Sequence, residues 1–320
     1  MKEIEIELNN NPPCRAEIEH AITGEMWDMV NVPSITVEGF NFDDGKKTMR
    51  LIFKEDVLAE EEIKIRKNEF RKKIELEKPL DELEEMKVKI GSDFQRKIPI
   101  ELKKLSGKVT HFDGTPVPYP ILSVGGEMFA VGDEDGEYEI FLSGEEDKIM
   151  ILDEGYSKER LECWLYDVKL EEDTELDVNI GGLEVYELGG WLGYTGLYLH
   201  FIPMSVTKMN AVVEREPSLK KGDVEPQDFF PYSEAWPNLK KEHIEVFIGE
   251  KEVPIKTFNE FDDFLGEEEN EKFTRPGYII GIAREDFEEE IIKVKIEKQI
   301  ELENREILEK GEGYYLGFLG

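Results

Sequence analysis

Residues 106–142 read SGKVTHFDGTPVPYPILSVGGEMFAVGDEDGEYEIFL, and the motif DEGY follows at residues 153–156. The spacing of Gly and Pro in this segment is typical of short strands joined by tight turns. Asp113-Gly114 and Asp135-Gly136 each place a residue that tolerates positive φ after an Asp that can hydrogen-bond to its own turn. Apolar residues then alternate along residues 138–142, as in a strand with one buried face. The segment predicts a small β-sandwich.

Alternation with a period of two continues on both sides of this segment. Apolar residues recur at every second position in residues 4–8, 63–65, 86–90, 244–248 and 292–302, with Lys298 as the one polar residue in the series. A helix would need apolar residues three and four positions apart, so these segments are predicted to be strands. The last of them could pair with a neighbouring chain if it lay at a sheet edge.

Helical patterns are short and few. Pro79–Met86 and Asn259–Leu265 are the two segments predicted to form helices, each of about two turns. The predicted fold class is therefore all-β, with serial β-sandwich domains of Ig-like or transthyretin-like type and only short helices.

The chain is 320 residues long, which suits two or three domains. The series of turn residues and alternating strands ends and starts again at two places in the chain. These breaks predict an N-terminal β-sandwich at residues 1–104, a second sandwich at 105–183 and a C-terminal β-domain at 184–320. In the first domain, Asp43-Asp44-Gly45 is predicted to be a hairpin turn because Gly supplies the positive φ that such turns need.

Two segments of the C-terminal domain are rich in aromatic residues. A long irregular loop at about 214–243 contains four prolines and aromatic residues that either pack back on the sheet or form a contact surface. These are Phe229, Phe230, Tyr232 and Trp236. Residues 191–204 combine glycines with Trp191, Tyr194 and Tyr198, which either enter the third core or lie exposed on a sheet face, where rings can stack on sugars.

The middle segment resembles the carboxypeptidase regulatory-like family, a transthyretin-type β-sandwich module. The family pattern consists of GxV, DGxPV, DxDGxY/F and a GY pair. The matching residues here are Gly107 and Val109, Asp113, Gly114, Pro116 and Val117, Asp133, Asp135, Gly136 and Tyr138, and Gly155 and Tyr156. The resemblance covers about a quarter of the chain and implies a non-catalytic folding or docking unit. The flanking regions resemble no family.

Acidic residues dominate the charge of the chain. It has 74 Asp and Glu against 40 Lys and Arg, a net charge of −34. Nucleic acid is therefore not expected as a partner, because it binds mainly through Lys and Arg on phosphates. Insertion into an anionic membrane is not expected for the same reason. Mixed Glu and Lys with only three Gln is typical of heat-stable proteins, so a thermostable protein is predicted.

Residues that carry catalytic or metal chemistry are scattered. Cys14 and Cys163 are too few for a disulfide framework, so two free thiols are expected, with one long-range disulfide as the alternative. The four histidines show no metal-site spacing; they are His20, His111, His200 and His243. Asp133–Gly136 resembles the start of a calcium loop but lacks the later ligands, so it is interpreted as a turn. No catalytic, metal-binding or cofactor-binding residue is predicted, and no enzyme activity is expected.

The sequence supports three hypotheses on function. The first is a non-catalytic structural or interaction protein, a subunit of a larger assembly such as a virion, a tail-like particle or a surface filament, that binds a protein partner or itself. The alternatives are a carbohydrate-binding accessory module and a hydrolase. The N-terminus has acidic residues where a signal peptide needs an apolar core. The expected location is therefore the cytoplasm or an assembled particle.

Overall fold

The structure is a computed structural model, and almost all of its regular elements are strands. It describes residues 1–20, 25–80, 85–92, 94–125, 128–143, 146–216, 232, 235–268, 271–283, 290–302 and 305–317. This part of the chain forms 25 strands in six sheets and one α-helix. The predicted all-β fold of serial β-sandwiches with little helix is confirmed.

The N-terminal residues form a sandwich of two antiparallel sheets. Its strands, with one separate hairpin, are β1 (Glu3–Asn9), β2 (Cys14–His20), β3 (Glu25–Asn31), β4 (Ser34–Phe40), β5 (Gly45–Phe53), β6 (Asp56–Ile65), β7 (Glu69–Glu75), β8 (Glu85–Ile90) and β9 (Phe94–Pro99). One sheet has the order β1-β4-β7 and the other β6-β5-β8-β9. Alternating apolar residues of both sheets, such as Ile35 and Met86, enclose one core.

The connection at Asp43-Asp44-Gly45 differs from the predicted hairpin. Strand β4 pairs with β1 and β7, whereas β5 pairs with β6 and β8, so this turn carries the chain from one sheet to the other. Gly45 has the expected positive φ, +133°. Phe42, just before the turn, is buried between the sheets against Phe70 and Phe94. Because the Phe42 ring is buried between the sheets, the chain crosses from one sheet to the other here. The residues of the turn alone do not predict this crossing.

The β2–β3 hairpin connects the first sandwich to the middle of the chain. Within the described residues these two strands pair only with each other. Ile18 packs against Phe129 and Leu152 of the following module. Trp27 also contacts Tyr156, with ring centroids 5.3 Å apart. An apolar cluster therefore joins the first and second predicted domains.

The middle segment forms a second sandwich. Its strands are β10 (Lys103–His111), β11 (Ile121–Val124), β12 (Met128–Val131), β13 (Glu137–Leu142), β14 (Glu146–Leu152), β15 (Cys163–Val168), β16 (Thr174–Glu175) and β17 (Val178–Ile180). Strand β10 pairs antiparallel with β13 and parallel with β16 and β17, while β12, β11, β14 and β15 follow one another in the other sheet. Tyr138, Ile140 and Leu142 are buried in the core between the two sheets, as their alternation predicts.

The second glycine turn of this module depends on a different Asp from the one predicted. Gly136 has a φ of +81°, as the Asp-Gly pair predicts. The carboxylate that accepts hydrogen bonds, however, belongs to Asp133, which receives the N–H groups of Asp135 at 3.0 Å and Glu137 at 2.9 Å. The first Asp of the DxDG motif is the one placed to reach amides two and four residues ahead.

The C-terminal residues form a third core. Its elements are β18 (Leu183–Leu192), β19 (Gly196–Ser205), α1 (Val206–Arg215), a 3-10 turn (Lys241–His243), β20 (Ile244–Ile248), β21 (Lys251–Glu252), β22 (Ile255–Glu268), β23 (Glu271–Ala283), β24 (Ile292–Leu302) and β25 (Arg305–Tyr315). The sheet β18-β19-β23-β22 packs against β20, β24 and β25 around residues such as Phe201, Tyr278 and Val294.

One sheet extends from the middle module into the C-terminal segment. Its order is β12-β11-β14-β15-β25-β24-β20-β21. Strands β15 and β25 are parallel, with Leu165 opposite Tyr314. Gly311 of β25 permits close contact with β18, because a Cβ there would lie 2.0 Å from the Leu183 carbonyl oxygen. The predicted boundary after residue 183 falls just after the first residue of β18, and this sheet contains strands from both sides of it.

One of the two predicted helices is a strand. Asn259–Leu265 lies inside strand β22, so that prediction was wrong. Of Pro79–Met86, residues 81–84 lie outside the described residues, and Met86 belongs to β8. The helix that does form, α1, is capped by the Ser205 hydroxyl, which accepts a hydrogen bond from the Lys208 N–H. In the described part of the chain, no helix has the length and apolar character needed to cross a membrane.

Strand β24 is not a free edge along its whole length. Its first half, Ile292–Ile296, pairs with β20 on one side and with β25 on the other. The alternating segment at 292–302 is thus an interior strand over residues 292–296, and its apolar residues contribute to the third core. Within the described part of the chain, residues 297–302 pair with β25 alone and have a free edge on the other side.

Candidate binding surfaces

Trp191, Tyr198 and His200 share the outer face of the sheet β18-β19-β23-β22, and we call this group the aromatic platform. Trp191 is directly opposite Tyr198 in the β18–β19 pair. Leu197 and Leu199 are buried in the third core. Because side chains alternate along a strand, Tyr198 and His200 project from the opposite, outer face.

The rings of the platform lie close to one another. The Trp191 and Tyr198 centroids are 5.6 Å apart with only 17° between the ring planes, and His200 lies 6.1 Å from Trp191. Trp191 is 44% exposed, and Tyr194 in the adjoining turn is 95% exposed. Three of the residues singled out in the sequence are therefore together at one end of this sheet.

Glycines leave room for these rings to lie against the sheet. A Cβ at Gly189 would be 2.3 Å from the His200 ring, and one at Gly281 would be 3.1 Å from the Tyr198 ring. The Tyr198 hydroxyl is also 3.0 Å from the Thr195 hydroxyl, which helps to fix the orientation of the phenol. The rings could be singled out in the sequence, but Gly281 could not, because it is distant from them in the chain and only strand pairing brings it beside Tyr198.

The aromatic residues of the long loop behave differently. Trp236 is only 7% exposed and packs in a cluster with Ile202 and Val212, and Tyr232 is half-buried against the same cluster. The interpretation of Trp236 as part of an exposed contact surface is therefore corrected in favour of packing on the sheet. Phe229 and Phe230 lie outside the described residues.

The cysteines and histidines do not form a recognisable site. Cys14 and Cys163 are both free thiols. His20 packs between Trp27 and Tyr156, with centroids 5.3 and 5.4 Å away. Among the described residues, no group of three or more His, Cys, Asp or Glu side chains could hold a metal ion.

Two neighbouring buried glutamates have raised pKa values: Glu162, just before β15, and Glu184, in β18. The Trp164 indole N–H donates to Glu184 at 2.7 Å, and the Tyr156 hydroxyl donates to Glu162 at 3.3 Å. The second oxygen of Glu162 is buried with no hydrogen-bond partner in the described part of the chain. Burial raises the pKa of Glu162 to about 7. Burial, together with the neighbouring Glu162, raises the pKa of Glu184 well above its usual range.

These glutamates do not form an open acid–base site. Glu162 is 8% exposed and Glu184 only 1%. A cleft of about 780 Å³ lies elsewhere in the same module, between the edges of β12 and β13, and contains acidic residues such as Glu139 and Asp177. Neither buried glutamate lines this cleft. A substrate in it would not contact the perturbed pair.

Comparison with known proteins does not assign the chain to a family. No protein-family model matches it, and no curated protein sequence matches it. Among solved structures, it is similar to a DUF3823 family protein from Bacteroides ovatus, with 12% identity, 68% of this chain and 100% of that chain covered, and a TM-score of 0.19. It is also similar to BcpA, the major pilin subunit of Bacillus cereus (9% identity, 67% and 69% covered, TM-score 0.19). A bacterial ice-binding adhesin of 1.5 MDa gives 7% identity, 98% and 96% coverage and a TM-score of 0.20.

Proposed function

We propose that this chain is a non-catalytic structural protein that assembles with copies of itself through free strand edges, as a subunit of a virion, a tail-like particle or a surface filament. The observation that carries the proposal is strand β22. It has 14 residues, and within the described part of the chain it pairs only with β23. A long edge strand presents unpaired backbone N–H and C=O groups to which another strand can be added.

The free edge of β22 is acidic. Glu260, Asp262 and Glu267 are exposed along it. Two such edges would repel each other, because like charges on directly opposed strands destabilise the pair. The charge therefore disfavours symmetric pairing of β22 with a second β22 and favours a basic partner strand.

Strand β9 supplies an edge of the opposite charge. It ends the sheet β6-β5-β8-β9, and its Gln95, Arg96 and Lys97 are exposed. Lys97 is ion-paired with Glu85 of β8, so Arg96 is the main source of positive charge at this edge. Residues 1–102 contain 17 of the 40 basic residues but only 24 of the 74 acidic ones. The first sandwich is thus much less acidic than the rest of the chain.

Pairing of β9 in one copy with β22 in the next gives a head-to-tail contact. Such a contact uses two different surfaces, so it leaves one of each free and can continue into a filament or close into a ring. Complementary charge would favour this pairing over like-with-like contacts. The middle module, with its resemblance to docking units, serves in this proposal as the link between the two ends.

The burial of Glu162 and Glu184 supports the non-catalytic part of the proposal. These two acids have raised pKa values, as catalytic pairs often do, but their exposed fractions are 8% and 1%. Buried ion and acid pairs also occur as purely structural features. Their burial in the folded chain suits a structural role.

Sedimentation velocity over a hundredfold range of protein concentration tests the proposal. The wild type is expected to show a sedimentation coefficient that rises with concentration. R96E/K97E in β9 is expected to remain monomeric over the same range. The matched control R66E/K67E changes the charge equally in an exposed turn of the same sandwich and is expected to associate as the wild type does. A wild type that is monomeric at every concentration would contradict the proposal.

A further inference from the structure

The aromatic platform lies in an exposed apolar patch at the tip of the β18–β19 hairpin. Trp191 and Leu192 are 44% and 43% exposed, and Tyr194 is almost fully exposed. Solitary exposed apolar residues are common, but adjacent ones on one surface mark an interaction site. The patch is unusual in a chain in which 36% of the residues are charged.

A stacked pair of rings lies at the centre of this surface, with Trp191 more exposed than Tyr198. Trp191 and Tyr198 lie within 17° of parallel. Tyr198 and His200 lie over the backbone of neighbouring strands, where Gly281 and Gly189 have no side chain. A ligand that fits here must therefore present a flat apolar face of about the size of one or two rings.

Uncharged polar groups surround the rings. In register across β23, Thr257 is aligned with Gly281 and Tyr198, and Asn259 is aligned with Ile279 and His200. Thr257 and Asn259 are both exposed, as is Thr195 in the turn. These side chains can donate and accept hydrogen bonds, but none of them carries a formal charge.

The open part of this sheet face is small. Toward residue 202 the same outer face is covered by α1 and the segment around Trp236, which pack on Ile202 and Phe261. A stable protein interface needs roughly 800 Å² on each partner. The uncovered rings and their polar neighbours match a ligand of a few sugar units better than a protein surface.

We infer that the aromatic platform is a binding site for a neutral polysaccharide whose sugar rings have equatorial hydroxyls. Such a ring has a flat C–H face that stacks on an aromatic face, and hydroxyls at its edge that hydrogen-bond to groups such as Thr257 and Asn259. The net charge of −34 disfavours acidic polysaccharides. The inference does not depend on self-assembly, because the stacking rings Trp191 and Tyr198 lie on β18 and β19. Of the site residues, only Thr257 and Asn259 belong to β22.

Retention on insoluble cellulose, xylan and chitin, together with titration of their soluble oligosaccharides, tests the inference. The wild type is expected to be retained on at least one of the three, and W191A and Y198A are expected to weaken binding at least about tenfold. Y119A is the matched control, since Tyr119 is also exposed, at 58%, but lies in the middle module. Its binding is expected to equal that of the wild type.

Separate outcomes distinguish this inference from the proposed function. R96E/K97E is expected to lose self-association but to keep polysaccharide retention. A wild type that is retained on none of the three polymers, or a W191A variant that binds as the wild type does, would overturn the inference. Loss of self-association in W191A without any polysaccharide binding would also overturn it and would assign the rings to a protein contact. Trp191 is exposed, so circular dichroism of W191A is expected to match the wild type.

Discussion

At the scale of single residues, burial determines which acids have an unusual pKa. Because the chain has 74 acidic residues, nothing in its sequence distinguishes Glu162 and Glu184 from the others. Burial in the folded chain is the largest cause of the raised pKa of both residues. In contrast, turn residues such as Gly136 were predictable, because an Asp-Gly pair carries its conformational preference locally.

The buried glutamates make stability fall as the pH rises. Glu162 has a pKa of about 7 in the folded chain against 4.5 for the unperturbed group, so the folded state binds more protons between these values. The free energy of unfolding is therefore expected to decrease from about pH 4.5 to about pH 7 by roughly 1 to 3 kcal/mol from this group. E162Q, measured by chemical denaturation at several pH values, is expected to flatten this slope and to be more stable than the wild type at pH 8.

The matched control for E162Q is E171Q, which removes an exposed acid of the same module. It is expected to leave the pH slope unchanged. A wild type whose stability rises between pH 5 and pH 7 would contradict this assignment, since that sign requires carboxylates with lowered pKa values.

Two glycine turns of the middle module allow a matched comparison of backbone strain and space. Gly114 and Gly136 have nearly equal φ values, +86° and +81°. A Cβ at Gly114 would meet nothing within 4 Å, whereas one at Gly136 would lie 2.5 Å from the Val109 carbonyl oxygen. We expect G114A to cost about 1 kcal/mol of unfolding free energy and G136A at least about 1 kcal/mol more. Equal losses would show that the turn at Gly136 relaxes freely.

At the scale of elements, strand patterns predicted most element types, and the main error was strand β22, which has apolar residues on both of its faces. In β22 the register shifts between Ile255 and Thr257 and again between Phe264 and Gly266. Phe258 packs on the third core, while Phe261 packs on the opposite face against the cluster around Trp236. Apolar residues on both faces give a spacing of three, which resembles a helix. The pairing partners of the strands could not be predicted from the sequence either. The parallel pair β15–β25, for example, joins segments about 150 residues apart.

The β2–β3 hairpin is expected to couple the first sandwich to the second. Trp27 contacts both His20 and Tyr156 in the cluster between them. W27A is expected to weaken this contact by about 1 to 3 kcal/mol and to split thermal unfolding into two transitions in scanning calorimetry. M26A removes an exposed side chain from the same strand and is expected to unfold as the wild type does. A single transition at an unchanged temperature in W27A would show that the hairpin does not couple the modules.

At the scale of the whole molecule, the alternation of apolar residues predicted serial sandwiches but not their connection. The eight-stranded sheet combines strands of the middle module with β20, β21, β24 and β25. Nothing local in the sequence predicts that β25 joins the two parts of this sheet by pairing with β15 on one side and β24 on the other. The candidate surfaces were likewise only partly predictable. Trp191 and Tyr198 could be singled out in the sequence, but their exposure and the free edges of β9 and β22 depend on how the sheets assemble.

Charge exchange between the two edges tests the central claim of head-to-tail assembly most directly. R96E/K97E makes β9 acidic, and E260K/D262K makes the edge of β22 basic. Each variant alone is expected to sediment as a monomer, because both of its edges then carry charge of the same sign. An equimolar mixture of the two is expected to associate beyond a dimer into alternating chains, because both edges of one variant are complementary to the edges of the other. The four substitutions combined in one chain are expected to restore the concentration-dependent association of the wild type, because both edges are again complementary. A combined variant that associates no better than either pair alone would contradict the claim, as would single variants that assemble as the wild type does.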